Sequence, residues 1–136
     1  MATEAQHQKL IFDWSRSVRK TYPELALLFH IPNGGRRDAI EARHLKQQGV
    51  KRGVPDLCLP VPRGGYHALY IELKTEKGRV SKEQKWWLER LNKTGCLAVV
   101  CHGWREATWT IENYLKQQRS RPSASAANAP MRARPR

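Results

Sequence analysis

The sequence predicts a small α/β sandwich, and three observations carry that prediction. Apolar residues switch repeatedly between helical spacing and short strand-like runs, in the order α-β-α-β-β-α-β-α. The chain has 136 residues, enough for one domain with a modest core and not for two. Cys96 to His102 forms a continuous apolar run, the pattern of a strand buried on both faces in the middle of a sheet.

Residues 3–21 are expected to form the first helix. Thr3 suits its N-cap, Leu10, Ile11, Trp14 and Val18 recur at helical spacing, and Pro23 ends it. Leu25 to Ile31, bounded by Pro23 and Pro32, is expected to be a strand. It opens into Asn33-Gly34-Gly35-Arg36-Arg37, where glycines let backbone approach a ligand and arginines can contact phosphate. Taken without the rest of the chain, an ordinary turn with solvated arginines is the better reading of that segment. Asp38 to Gln48 reads as a short, weakly amphipathic helix stopped by Gly49, with Arg43, His44 and Lys46 suggesting a place near a substrate.

Val54 to Val61 and Tyr66 to Lys74 are expected to pair as a hairpin around Arg63-Gly64-Gly65. Pro55 and Pro60 bend the first strand or place it at an edge. Ser81-x-x-Gln84 fits a capping box and starts a helix containing Trp86, Trp87, Leu88 and Leu91, which Thr94-Gly95 stops. A last helix spans Trp104 to Gln117. The tryptophans of these helices are expected in the core, with a dimer surface as the other reading. Residues 1–118 are expected to be the folded domain. Residues 119–136, rich in Ser, Ala, Pro and Arg, are expected to be a disordered basic tail.

The charge is strongly positive: 25 Lys+Arg against 12 Asp+Glu, a net +13. Six of the basic residues lie from Lys116 onward, so residues 1–115 still carry 19 basic against 12 acidic residues, or +7. A polyanionic partner is expected, and nucleic acid best suits a basic chain that also carries a carboxylate cluster. No apolar run approaches transmembrane length and no secretory leader is visible, so no membrane partner and a cytoplasmic location are expected. Cys58, Cys96 and Cys101 show no metal-ligand spacing and read as reduced core thiols.

The chemistry concentrates between Gly53 and Gln84. Along Tyr70-Ile71-Glu72-Leu73-Lys74, alternation puts Glu72 and Lys74 on one strand face and Ile71 and Leu73 on the other. Asp56 lies at the start of the neighbouring strand. Strands sit about 4.8 Å apart, so carboxylates from a pair of strands can converge on one divalent ion. Such an ion can activate water and relieve charge in phosphodiester hydrolysis. Lys74, one pleat from Glu72, is placed to reach the attacking water or the phosphate. On spacing alone, a Glu72–Lys74 salt bridge or a solvated strand face fits equally well. Glu4, taken alone, suits the positive end of the first helix.

Together, Gly53-Val54-Pro55-Asp56, Ile71-Glu72-Leu73-Lys74 and Gly78-Arg79-Val80-Ser81-x-x-Gln84 resemble the PD-(D/E)xK nuclease superfamily. More narrowly they resemble its virus-type replication-repair nuclease family, VRR-NUC, in the stand-alone form of phages and bacteria. The resemblance covers most of residues 3–115 and reaches Glu4 and Asn33-Gly34-Gly35. It implies a restriction-endonuclease-like three-layer α/β/α sandwich with a mixed central sheet. It implies Asp56, Glu72, Lys74 and Gln84 as catalytic residues, and Glu4, Asp56, Glu72 and the Leu73 carbonyl as ligands of Mg²⁺ or Mn²⁺. Asn33, Gly34, Arg36, Arg37, Lys51, Arg52, Lys77 and Arg79 are the expected DNA contacts. The implied activity is a metal-dependent DNA endonuclease that cuts branched DNA as a homodimer, in the manner of a Holliday-junction resolvase. A nuclease acting on flaps, single strands or duplex, and a non-catalytic nucleic-acid-binding module, are the alternatives.

Overall fold

The computed structural model describes residues 2–32 and 39–119. The first helix, α1, spans Glu4–Ser17. Thr3 caps it as expected: its hydroxyl accepts from the Gln6 N–H at 3.1 Å, and the Gln6 side chain accepts from the Thr3 N–H at 2.8 Å. The helix stops short of Tyr22, because Ser17 Oγ donates to the Trp14 carbonyl and the chain turns at Val18.

The expected strand from Leu25 to Ile31 is largely a 3₁₀ helix, Pro23–Leu27, followed by a two-residue strand β1, Phe29–His30. Pro23 is preset for a first helical position. Leu25 and Leu28, three residues apart, are buried, whereas Leu27 is exposed. A short apolar run does not by itself separate a helical turn from a strand. Helix α2 spans Ala39–Gln47 and buries no residue.

Strand β2 is only Leu57–Leu59, hemmed in by Pro55 and Pro60, and β3 is Leu69–Lys74. They pair antiparallel, with Leu57 opposite Ile71 and Leu59 opposite Leu69. Gly64 and Gly65 both have positive φ, 57° and 86°, between paired Arg63 and Tyr66, as a tight hairpin turn demands. Helix α3 spans Lys82–Lys93, β4 spans Leu97–His102 and α4 spans Trp104–Leu115. Among the described residues the sheet is mixed, in the order β1-β2-β3-β4, with the β3–β4 pair parallel and the other two pairs antiparallel.

β4 is therefore at an edge and not in the middle of the sheet. Its run is apolar because helices pack on it, yet Leu97, Val99 and Val100 are only half-buried. Part of its free edge is occupied by Asn92 of α3, whose side chain donates to the Ala98 carbonyl and accepts from the Ala98 N–H. Hydropathy reports coverage of faces, not the presence of a neighbouring strand.

The three layers follow from the pleat. Leu69, Ile71 and Leu73 point into a core shared with Ile11 of α1 and Ile111 and Tyr114 of α4. Burying each such aliphatic side chain contributes roughly 1.5–3 kcal/mol. Tyr114 finds its polar partner there, donating to the Val61 carbonyl at 2.6 Å. The opposite face of β3 meets the start of α3. The tryptophans divide: Trp14 and Trp104 pack against the core, Trp87 is half-buried, and Trp86 and Trp109 are 51% and 66% exposed. The core expectation thus fails for Trp86 and Trp109, because α3 lays only a narrow face on the sheet and both rings fall outside the buried faces of their helices.

Arg119 forms a bridge with Arg63, and the Gln118 carbonyl accepts from the Gly64 N–H. Arg119, expected at the start of the tail, is thus tied to the hairpin. The rest of the expected tail, 120–136, lies outside the described residues. Among the described residues no helix is long and apolar enough to cross a membrane.

Candidate active site

The β2–β3 register builds the site. Extending it one place beyond Leu57 and Ile71 sets Asp56 across from Glu72, and one more sets Pro55 across from Leu73. Proline has no N–H, so the ladder cannot continue there. Instead, the Leu73 N–H donates to Asp56 Oδ2 at 2.7 Å. Pro55 offers nothing to the Leu73 carbonyl, which leaves that oxygen available on the Asp56 side of the strand. The Asp56 carbonyl accepts from the Ile31 N–H at 2.7 Å and lies 2.8 Å from His30 Nδ1, which donates in its Nδ1–H form.

Glu72 is 2% exposed. Its Oε1 accepts from Gln84 Nε2 at 2.6 Å and lies 3.7 Å from Lys74 Nζ. Its Oε2 is buried and, with both carboxyls ionised, has no hydrogen-bond donor among the described residues; a proton on Glu72 can be shared with Asp56. A buried carboxylate oxygen with no partner is costly. The protein responds by favouring the proton: burial first, and then the Asp56 charge, push Glu72 up to about 8, with Lys74 opposing. Asp56 is also raised by burial, against the Leu73 N–H bond that favours its charged form.

This pair fits a hard divalent cation. Two oxygen-only side chains from adjacent strands, one with a free buried oxygen, lie beside an available backbone carbonyl. A cation bound there would remove the penalty that now holds a proton on Glu72.

Gln84 reaches Glu72 because α3 begins where it does. Ser81 Oγ accepts from the Gln84 N–H at 3.2 Å, and Gln84 Oε1 accepts from the Ser81 N–H at 2.8 Å. With Oε1 committed to the cap, Nε2 is the end left to face Glu72. Gly53 makes the close approach possible: it has φ +87°, and a Cβ there would lie 2.6 Å from the Glu83 carbonyl carbon and 2.8 Å from the Gln84 nitrogen.

The structure thus brings together Asp56, Glu72, Leu73, Lys74 and Gln84. Glu4 stands apart. It is exposed at the first position of α1, and its charge raises Glu72. Among the described residues, no group of three or more Asp, Glu, His or Cys side chains forms a metal-binding cluster. Glu4 therefore reaches the pair through its charge, without forming a three-residue acidic cluster with it among the described residues. Lys51, Arg52, Lys77 and Arg79 are all exposed. Lys77 and Arg79 flank Gly78, which packs against the Lys74 side chain. Asn33, Gly34, Arg36 and Arg37 lie outside the described residues.

Two contributors escaped the sequence reading. His30 was readable only as the end of a presumed strand. Gly53 was readable only as part of a motif, since its tight seat against α3 depends on a contact 30 residues away in the chain.

Fold and site together define a small α/β sandwich with a carboxylate pair and a lysine on the open end of its central hairpin, the construction of a hydrolase acting on nucleic acid. Residues 2–105 match the model of the VRR-NUC domain, and the chain belongs to that nuclease family. A solved structure described as a VRR_NUC domain protein is 32% identical, with a TM-score of 0.76, over 88% of this chain and 93% of that one. No protein of curated function matches.

Proposed function

We propose that this chain is a DNA endonuclease dependent on Mg²⁺ or Mn²⁺, with branched DNA as its substrate. The observation that carries the metal dependence is the partnerless buried oxygen of Glu72 beside Asp56. Asp56, Glu72 and the Leu73 carbonyl would hold the ion, with Glu4 acting through water. Bound there, the ion supplies a Lewis acid for the phosphoryl oxygen and lowers the cost of generating hydroxide.

The chain's own residues do the rest. Lys74 Nζ, held near Glu72, places positive charge where the scissile phosphate gains negative charge, and it can hydrogen-bond the attacking water. Gln84 holds Glu72 through Oε1, which leaves Oε2 free for the ion. Lys51, Arg52, Lys77 and Arg79, all exposed, would contact phosphates flanking the cut, and Asn33, Gly34, Arg36 and Arg37 would join them. A homodimer would present two such sites to the symmetric strands of a four-way junction.

The test is cleavage by purified protein, with Mg²⁺ or Mn²⁺, of four-way junction, flap, single-stranded and linear duplex DNA. Cutting of the junction that disappears in Glu72→Ala and in chelator is expected. Preference for flaps or single strands would replace the branched-junction reading. Salt-sensitive binding without metal-dependent cutting of any substrate would make the chain a binding module. Gel filtration with light scattering reports the oligomer.

A further inference from the structure

Trp86 is a large aromatic ring kept half in solvent by the same helix that supplies Gln84. A lone exposed aromatic residue is ordinary. Trp86 is not alone. Trp87 stands edge-on to it, with ring centroids 5.6 Å apart and planes at 83°. The Trp87 indole is anchored in turn, its Nε1–H donating to the Arg52 carbonyl at 2.9 Å. The Arg90 guanidinium lies 5.3 Å from the Trp86 ring centre. Arg52, Lys82, Glu83, Trp86 and Trp87 line a shallow pocket of about 300 Å³.

The location adds to this. Trp86 is two residues after Gln84, about 3 Å further along the helix axis and about 200° around it, so its ring leaves α3 on the side away from Glu72 but within the same first turns. Arg52 lines the pocket, and the next residue, Gly53, three before Asp56, is seated against Glu83 and Gln84. The pocket and the carboxylate pair are therefore linked through the Arg52–Asp56 segment and the first turn of α3.

We propose that Trp86, braced by Trp87 and flanked by Arg52, Lys82 and Arg90, stacks one unpaired base of the nucleic acid whose backbone enters the Asp56–Glu72 site. An indole offers a flat face that any base can stack on, and the surrounding cations suit the phosphates on either side. Glu83 is the one acid in the lining, and it sits in the first turn of α3, where the helix dipole stabilises it. The positive surround matches a polyanion. A second copy seated on itself at this patch would set Arg52, Lys82 and Arg90 against their own equivalents, which disfavours it as the occupant here. Base-paired DNA keeps its bases inside the stack, so on a branched substrate the platform would take a base that comes unpaired at the branch point. If the chain binds nucleic acid as proposed above, this pocket defines which part of the substrate it grips.

The experiment separates this from cleavage. Full-length Glu72→Gln protein, in chelator, is mixed with a duplex bearing a short single-stranded extension that carries a fluorescent adenine analogue, or with the same duplex made blunt. Stacking predicts quenching of the analogue on binding and tighter binding of the extended duplex. Adding Trp86→Ala should remove the quenching and reduce the preference for the extended duplex by roughly five-fold to a hundred-fold, with Trp86→Phe retaining most of it. Far-UV circular dichroism checks that each variant is folded. Trp86→Ala with unaltered quenching and preference would overturn the platform. So would an equal loss on both duplexes, or a shift from dimer to monomer, which would make the pocket an interface between copies. If the parent chain cuts no nucleic acid but these effects hold, the nuclease reading fails and the platform stands.

Discussion

The two faces of β3 are built on opposite terms. On one, Leu69, Ile71 and Leu73 are each 1% exposed and packed among apolar neighbours. On the other, one residue out of step, Glu72 is just as buried but has an oxygen without a partner and a carboxyl pushed up to about 8. The strand is thus stable because of one face and chemically primed because of the other. Stability belongs to positions where every group is satisfied, and reactivity to the position where one is left unsatisfied.

Breaking the primed face should have the largest effect. Asp56→Ala or Glu72→Ala is expected to reduce the rate of DNA cleavage by on the order of 10³-fold or more while the circular dichroism spectrum is kept. A variant that cuts at the parental rate would remove the carboxylate pair from the mechanism. Breaking the packed face should do the reverse. Ile71→Ala is expected to lose about 2–5 kcal/mol in urea denaturation, with the cleavage rate per folded molecule close to the parent's at low temperature.

The contrast sharpens with pH. Glu72 binds its proton more tightly folded than unfolded, so between its ordinary value of 4.5 and about 8 the folded state carries the extra proton. Its contribution to stability is therefore complete below that ordinary value and is lost as pH rises toward 8. In chelator, the melting temperature is expected to fall across this window. Glu72→Gln should flatten the fall, and Mg²⁺ should raise the melting temperature most at the alkaline end. A pH-independent melting temperature would contradict the assignment.

The smallest effect lies away from both faces. Gly103, at φ +95°, has no side chain to cap α4, and His7 Nδ1 accepts the Trp104 N–H at 3.0 Å in its place. His7→Ala is expected to cost about 1 kcal/mol in denaturation, the value of a helix cap, with little change in cleavage per folded molecule.

Much of this was legible in the sequence. Glu72 and Lys74 share a face because strand alternation requires it, and the Ser81–Gln84 capping box was written in two residues three apart. Asp56 could be put on the strand beside Glu72, but the register that sets them across from each other was not in the sequence, since the pairing at the turn, Arg63 with Tyr66, is one residue out of step with it. What failed was whatever depended on distant packing. The Leu25–Ile31 run carries no period long enough to separate a 3₁₀ turn from a strand. The edge position of β4 depends on which strand lies beside it, which its own residues do not encode. Trp86 and Trp87, adjacent and chemically alike, differ in exposure because successive helix positions point in different directions.

The capping box of α3 has one more consequence. Ser81 touches neither Asp56 nor Glu72 through its side chain, yet its N–H holds Gln84 Oε1 and so dictates which end of that amide meets Glu72. Helix initiation and carboxylate alignment are one event in this molecule. A mutational scan read out by cleavage would therefore mark position 81 alongside Asp56 and Glu72, and the tolerated replacements there would be those that can still start a helix.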